Sequence, residues 1–576
     1  VIQPGTEGQW NNQSFRVLGR FRAWIEEFVF NYWTIEFADG RLAYLGEGYG
    51  LYSIHEKIIA DTHHATGAMK KSEPGSKMTL FGDAFLLERK YKCYKLEVEG
   101  EVWLPGADIP VQTFEWAHEG GRHLEFIEFT GGDITSFEVH YTSFGMLQAK
   151  NLREFEHAEK KFLCSCSNEV VVRTFPFAQS YGCTFCGRRY VLDVTGTYKD
   201  LMQLNQVDQK PAIPLGSKGV LNGVNYEVLG FAIKQENNTG GAKWQEYTLF
   251  HPTEGFAFLS EYNGHWIFVK ERGDAPVLYG SKELSMKYDG EPFQLYNSYS
   301  YEVYHALGEF PYNIFNDYSK QVLEYISPPE VWIREKDNRE GIMWFLGEHI
   351  KSSEVKSAFG NKVKLPPRIG IGAVDPKGFI SKEKLFFVTS IALLFMIFAH
   401  LLTIPGKREE VLMDRTFSIP DTANTTTFVT GTLNLDKWRS NLQFDIYAPV
   451  SNSWFELGAV LVNTATGNEY SIEQGVEYYY GYTDGENWEE GDKNETTYIS
   501  SIPAGNYQLQ LVGTREPGSL VSGFTVRVTY DVSNHRNLLY CILLLLTWPV
   551  IRFFIVRQNE TKRWENSPYT PFNHED

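Results

Sequence analysis

A chain of 576 residues is too long for a single core and is expected to hold several domains. With 43% apolar, 15% aromatic and only 22% charged residues it is a folding sequence, and disorder is expected only after Arg563. A net charge of −18 with no basic stripe argues against nucleic acid as a partner and against tight docking on anionic lipid.

The first stretch alternates apolar and polar residues over short runs, as in Phe15-Arg16-Val17 and Trp33-Thr34-Ile35-Glu36-Phe37, followed by the turn Asp39-Gly40. This is strand and hairpin chemistry. Residues 4–54 are similar to residues 214–269. Val17-Leu18-Gly19 matches Val228-Leu229-Gly230 and Trp33 matches Trp244 at one offset, and Gly50 matches Gly264 three residues further on. A repeat of small β-sheet or barrel units is therefore expected, with the tryptophans and glycines as core and turn residues. Lys95–Leu104 and Thr135–Leu147 continue the strand-rich style.

Four of the six cysteines fall between these units: Cys164-Ser165-Cys166 and, after sixteen residues, Cys183-Thr184-Phe185-Cys186-Gly187. Two close pairs separated by a hairpin are the sequence form of a zinc ribbon, with Val170-Val171-Val172 and Tyr190-Val191-Leu192 as its strands. Four thiolates suit structural Zn²⁺ in a closed, non-catalytic site, and iron is the alternative ion. The first pair departs from the usual pattern by one residue, which strains its knuckle. Cys93 and Cys541 stand alone and are expected to be buried, inert thiols.

Leu385 to Ile404 is an uncharged, mostly apolar run, and Leu538 to Val556 is a second one. About 20 residues at 1.5 Å each match a ~30 Å hydrocarbon core, so both are expected to span a bilayer. Thr389, Ser390 and Thr403 can satisfy their hydroxyls on their own helix, Pro549 should kink the second helix, and Arg552 can snorkel. Lys377, Lys382 and Lys384 precede the first run, against Lys407 and Arg408 after it. Arg552, Arg557, Lys562 and Arg563 lie at or beyond the far end of the second, against Arg536 before it. Both comparisons place the two ends of the chain in the cytoplasm and residues 405–536 outside. That outer segment carries 18 acidic and 9 basic residues, which is half the net charge. It reads as short strands, such as Asn441–Tyr447 and Gly523–Tyr530, with a turn at Pro503-Ala504-Gly505 feeding Tyr507–Leu511. A β-sandwich is expected.

The pattern from Glu246 to Trp266 resembles the bacterial domain-of-unknown-function 4178 family. The resemblance continues through Gly308-Glu309-Phe310-Pro311, Asp317-Tyr318, Tyr325 and Pro328-Pro329 to a helix-like stretch around Glu335, Glu340, Trp344 and Gly347-Glu348. Tyr478-Tyr479-Tyr480-Gly481, Gly485 to Gly491 and Ile502 to Tyr507 also fit. The resemblance implies zinc-ribbon knuckles, two spans near the end of the chain and no established activity. Family members tend to be encoded beside membrane-stress proteins and polyamine-synthesis-like enzymes, which implies an accessory role. They often carry a further knuckle upstream, and this chain opens at Val1, so an upstream piece is expected.

No GxSxG, P-loop, HExxH or kinase-like set is present. Asp61-Thr62-His63-His64 is read as a solvated loop, because adjacent histidines on a strand point to opposite faces. Glu309, Glu335, Glu340 and Glu348 would form an acid–base site only if the fold brought two of them together. The acidic run Asp484–Glu495 lacks the alternating spacing of a calcium loop and is read as a solvated turn.

The expected architecture is mostly β. A first β-rich repeat domain occupies residues 1–158, a zinc ribbon 159–195 and a second repeat domain 196–380. Transmembrane helices occupy 385–404 and 538–556, an extracytoplasmic β-sandwich 405–536 and a cytoplasmic tail 557–576. The metal ligands are Cys164, Cys166, Cys183 and Cys186, with structural zinc as the cofactor. The expected role is a non-enzymatic scaffold or envelope-stress accessory protein in the bacterial inner membrane. Its partners would be the lipid bilayer, other membrane or envelope proteins and further copies of itself. The alternative is an enzyme, or a subunit of one, for polyamine-type chemistry with its site between the two β repeats.

Overall fold

The computed structural model describes the chain apart from residues 26–27, 60–65, 105–108, 119, 157, 204–209, 239–240, 275, 280–282, 316–319, 338–340, 361, 378–381 and 573–576. Strands hold 56% of the chain and helices 13%, so the fold is mostly β. It divides into two compact units, one of Val1–Phe379 with Ile555–Asp576 and the other of Ile380–Phe554.

In the first unit, eight antiparallel strands close a barrel. Their order round the ring is Gln13–Ile25, Val29–Phe37, Leu42–Gly48, Leu51–Ile58, Ile134–Thr142, His123–Phe129, Pro110–His118 and Asp83–Gly100. The last pairs back to the first, Gly19 opposite Gly100 and Phe21 opposite Val98. Closure removes the sheet edges and leaves aromatic side chains such as Phe21, Tyr32 and Tyr44 to fill the interior.

A second ring repeats this order with Val224–Glu236, Lys243–His251, Gly255–Tyr262, His265–Arg272, Gly341–Ile350, Glu330–Asp337 and Gln321–Ser327. Its eighth place is shared by Glu291–Tyr299 and Tyr301–Phe310, broken at Ser300. The first pairs with Gln321–Ser327 and the second with Val224–Glu236. Both rings bulge at the same point, between Val17 and Gly19 and between Val228 and Gly230. A Cβ on Gly19 would lie 2.4 Å from the Glu101 carbonyl oxygen, and one on Gly230 2.4 Å from that of Glu309, so both seams require glycine.

The register corrects one match. Gly19 pairs with Thr34 and Arg20 with Trp33, while Gly230 pairs with Thr248 and Phe231 with Tyr247. Tyr247, not Trp244, therefore takes the place of Trp33. The connection after Ile25 reaches the next strand at Val29, whereas that after Glu236 reaches it at Lys243, so the extra residues precede Trp244. The helix-like stretch is also corrected. Glu330–Asp337 and Gly341–Ile350 are paired strands, in which Met343 and Phe345 enter one core and Ile342 and Trp344 another. Burial on both faces hides the period of two.

The cysteine segment lies between the rings. Lys160–Leu163 pairs with Glu169–Val172, and Ser180–Gly182 with Arg188–Leu192, so the two expected strands belong to separate hairpins. Ser180–Gly182 also pairs with Tyr301–Phe310, which makes the cysteine segment continuous with the second ring. The largest buried cluster unites Phe21, Tyr32 and Tyr44 with Phe258, Tyr312 and Phe345, so both rings share one core.

The disorder expected after Arg563 is not found as far as Phe572. Trp564 is buried with Ile326, Val331 and Val374, and Ser567 donates a 2.5 Å hydrogen bond to the Tyr296 carbonyl. Trp564 supplies the tail's apolar anchor.

In the second unit, two helices, Lys382–Thr403 and Arg536–Trp564 as far as Phe554, are long and apolar enough to cross a membrane, and their apolar windows are not buried in protein. Thr389 donates to the Leu385 carbonyl at 2.8 Å and Thr403 to that of His400 at 2.6 Å. Cys541 is exposed rather than buried, because no protein packs against that helix face, and Cys93 is only partly buried. The β domain between them is one seven-stranded sheet folded on itself. Thr425–Tyr447 pairs with Asn494–Arg515 through three register shifts, and the long strands enclose a core of Leu435, Phe444, Phe455, Leu457, Tyr507 and Phe524. The expected turn at Pro503-Ala504-Gly505 lies inside the strand Asn494–Arg515, opposite Arg439 and Leu435. Irregular pairing there tolerates proline, which cannot donate to a ladder.

Candidate metal centre

Each half of the centre is a tight turn at a strand end. In the first, the Ser167 N–H donates to the Cys164 carbonyl at 2.8 Å, and Ser167 is left-handed at φ 66°. In the second, the Gly187 N–H donates to the Cys183 carbonyl at 2.8 Å, with Gly187 at φ 70°. The shorter spacing of the first pair is thus absorbed by a turn one residue tighter, at the expense of a left-handed serine.

The four sulfurs lie within 4.8 Å of one another. Cys164 Sγ is 3.6 Å from Cys186 Sγ, and Cys166 Sγ is 3.9 Å from Cys183 Sγ. A tetrahedral ion with metal–sulfur bonds of about 2.3 Å needs sulfurs about 3.8 Å apart. The cluster therefore has the spacing to hold a metal ion, and all four ligands would be protein thiolates.

Neighbours orient the sulfurs. Asn168 Nδ2 donates to Cys166 Sγ at 3.3 Å, and Tyr190 Oη donates to Cys164 Sγ at 3.2 Å while accepting from the Ser165 N–H at 3.1 Å. The Asn168 side chain and backbone bring the Cys166 thiol down to about 6. Burial pushes the Cys183 thiol up and that of Cys186 up to about 12. Cys164 and Cys183 sit in an apolar cluster with Trp24, Val172, Tyr181 and Leu192. A divalent cation would offset the burial of so many thiolates.

The loop that follows Val172 is held by Glu309. Its Oε1 accepts from the Arg173 N–H at 2.9 Å, and its Oε2 from the Thr174 N–H at 2.9 Å and the Thr174 hydroxyl at 2.6 Å. Burial raises the carboxyl even so. Glu335 instead lies 3.8 Å from Lys320, and Glu348 is exposed at the border of a cleft. These three carboxylates do not converge. Glu340, Asp61, His63 and His64 lie outside the described residues. Among the described residues the cysteine cluster is the one group of three or more ligating side chains, and Asp484–Glu495 is spread along an exposed hairpin.

Sequence reasoning missed a buried chain in the first barrel. Ser53 Oγ lies 2.8 Å from His55 Nε2, and His55 Nδ1 lies 2.6 Å from Glu125, which also accepts from the Tyr32 hydroxyl at 2.7 Å. The order matches nucleophile, base and acid, but the three residues are 2%, 4% and 1% exposed. With no access for a substrate, the chain serves to satisfy polar groups inside the barrel. Ser53 and His55 stand two apart on one strand, and that inward pairing was the available signal.

No curated protein matches the chain. Among solved structures it is similar to that of infectious bursal disease virus Gt strain, at 14% identity over 61% of this chain and 66% of that one, with a TM-score of 0.14. It is also similar to the infectious bursal disease virus VP2 subviral particle, at 12% identity over 66% and 72%, with a TM-score of 0.15. A third is the insecticidal delta-endotoxin Cry8Ea1 from Bacillus thuringiensis, at 10% identity over 66% and 54%, with a TM-score of 0.12. The chain thus spans just under two thirds of the first of these, and none of the three bears on what it does. The model of a family described as a domain of unknown function (DUF4178) matches residues 214–352, a range that begins just before the strand Lys218–Leu221 and ends just after Gly341–Ile350, and so takes in the second ring whole.

Proposed function

We propose that the chain is a membrane-anchored, non-enzymatic scaffold of the bacterial inner membrane. Two DUF4178-type barrels bridged by a zinc ribbon would lie in the cytoplasm, and residues 405–536 would meet envelope proteins outside. The observation that carries this reading is the return of the chain to the second barrel. Arg563 Nη1 donates to the Gly372 and Ala373 carbonyls at 2.8 and 2.9 Å, and Tyr296 Oη donates to the Arg563 carbonyl at 3.0 Å. On this reading the segments on either side of the two apolar helices would share one side of any bilayer that the helices cross, as an even number of spans requires. The lysine and arginine excess beyond the second helix favours the cytoplasm for that side.

Structural zinc is the reading that fits four thiolates at tetrahedral spacing, with no open coordination position for catalysis. In such a site the ion contributes folding free energy to a module with little core of its own. The test is purification in mild detergent, with metal analysis and mass photometry on one sample. About one zinc per chain in a defined homo- or hetero-oligomer is expected. Iron or no metal would overturn the zinc assignment, and a monomer with no co-purifying partner would overturn the scaffold.

A further inference from the structure

The two barrels border a cleft of about 820 Å³. Sites for small molecules span roughly 300–1,000 Å³. The cleft is lined by the same turn from each barrel. Asn11 follows the strand Glu7–Trp10, and Asn222 follows Lys218–Leu221. Both are left-handed, at φ 47° and 48°. The repeat therefore delivers one exposed side-chain amide from each barrel to a single cavity, and each amide both donates and accepts.

Around these amides every charge but that of Glu348 is already matched. Lys270 pairs with Glu254 at 2.8 Å, Arg272 with Asp274 at 2.9 Å, and Glu271 with Arg89 at 3.2 Å. An anionic ligand would have to break one of these pairs or bury a new charge beside them, and a cation would have Glu348 alone to meet. The groups left for a ligand are of mixed hydrogen-bonding type. Trp10 Nε1 and His123 Nε2 are buried without a partner among the described residues. His123 is 6% exposed, and burial brings its imidazole down to about 4, so it is neutral at pH 7. Glu348 is exposed and makes no ion pair among the described residues, so its carboxylate is free to accept. Trp10 and Phe144 add aromatic surface to the same walls.

A hydroxyl group donates and accepts at one atom, which is what such a mixture of amide, indole, neutral imidazole and carboxylate requires. We infer that the cleft between the barrels binds an uncharged, hydroxyl-rich ligand of the small-saccharide class, held between the Asn11 and Asn222 turns.

The test uses the full chain in detergent and saturation-transfer NMR, followed by calorimetry on any hit. The probes are glucose, maltose and N-acetylglucosamine, with lysine and succinate as charged controls. Saturable binding of a neutral sugar is expected, with both charged probes silent. Asn11→Gly and Asn222→Gly keep the left-handed turns and should each weaken that binding about tenfold, with unchanged thermal midpoints. Trp10→Phe keeps the ring, removes the indole N–H and should also weaken it. Binding by the charged probes alone, binding by none of the probes, or sugar binding that all three variants leave intact would overturn the inference.

Discussion

Gly50 and Gly255 bring the two barrels together backbone against backbone: a Cβ on Gly255 would stand 2.2 Å from the Gly50 nitrogen. The Phe256 N–H donates to the Tyr49 carbonyl at 3.1 Å and the Tyr52 hydroxyl to the Thr253 carbonyl at 2.8 Å across the same contact. Both glycines are left-handed, at φ +98° and +63°, so alanine would meet conformational strain and backbone collision together. Gly50→Ala or Gly255→Ala is expected to lower stability by about 3 kcal/mol or more. Gly40→Ala is the control: it shares the left-handed backbone (φ +83°), with nothing within 4 Å of its Cβ. It should lose only about 1–2 kcal/mol. Denaturant unfolding of the three variants checks the difference.

The cysteine turns carry three further expectations. Asn168→Ala removes the 3.3 Å hydrogen bond to Cys166 Sγ and leaves all four ligands in place. Loss of such a supporting group should weaken metal binding about 10- to 100-fold, read by competition with a chromophoric chelator. Cys183→Ser should abolish stoichiometric metal. Ser167→Gly should instead stabilise the turn by about 1 kcal/mol, because glycine accepts φ 66° freely. A thermal midpoint that falls in Ser167→Gly would contradict this account of the shortened knuckle.

How much of this was legible depended on whether the constraint was local. Cys164, Cys166, Cys183 and Cys186 declare themselves because ligand spacing is a property of two short turns. Gly19 and Gly230 align because the barrel seam leaves no room for a Cβ at either place. Trp33 and Trp244 misled for the opposite reason: a shared tryptophan outweighed a length change in a hairpin loop, although the ladder puts Tyr247 opposite Phe231. Ile342 to Phe345 concealed their strand because both faces are buried. The Arg563–Gly372 contact joins residues 191 apart, and no local pattern in either segment announces it.

The loop beneath the second barrel should respond to pH. Asp375 Oδ1 lies 3.2 Å from His265 Nδ1, its Oδ2 accepts from the Gly372 N–H at 2.8 Å, and Arg368 pairs with it. Burial works against both charges, but the hydrogen bonds and the attraction outweigh it: the His265 imidazole sits above its ordinary value and the Asp375 carboxyl well below. The nearby His349 is lowered by burial and stays neutral near pH 7. For a raised imidazole the contribution is full below its unfolded value of about 6.5 and is lost as pH rises through the folded value. For a lowered carboxyl it is full above about 3.9 and is lost on acidification through the folded value. The loop should therefore be held best between about pH 4 and 6.5 and should loosen above neutrality. Hydrogen exchange across residues 366–377 should be faster at the alkaline end after correction for the intrinsic rate. His265→Gln should flatten that dependence.

Arg563 closes the same loop from the other end of the chain. Its side chain is 3% exposed, and its guanidinium donates to the Ala373 carbonyl and to the Gly372 carbonyl, which also accepts from the Asp375 N–H at 3.2 Å. Arg563→Ala should weaken docking of the tail by about 2–3 kcal/mol, from the loss of hydrogen bonds made by a charged donor. Arg563→Lys should rescue this only in part, since a single ammonium lacks the planar fork. Trp564→Ala removes a side chain 6% exposed among Ile326, Val331 and Val374 and should cost about 3 kcal/mol. The readout is limited proteolysis of the detergent-solubilised chain with a C-terminal tag. Tag loss is expected to be slowest in the wild type, faster in Arg563→Lys and fastest in Arg563→Ala. The same variants separate an anchor from a bystander: if the tail is a clamp on the Gly372–Asp375 loop, exchange in that loop rises along with tag loss. If the tag is lost faster while the loop stays protected, the tail is merely resting on the barrel.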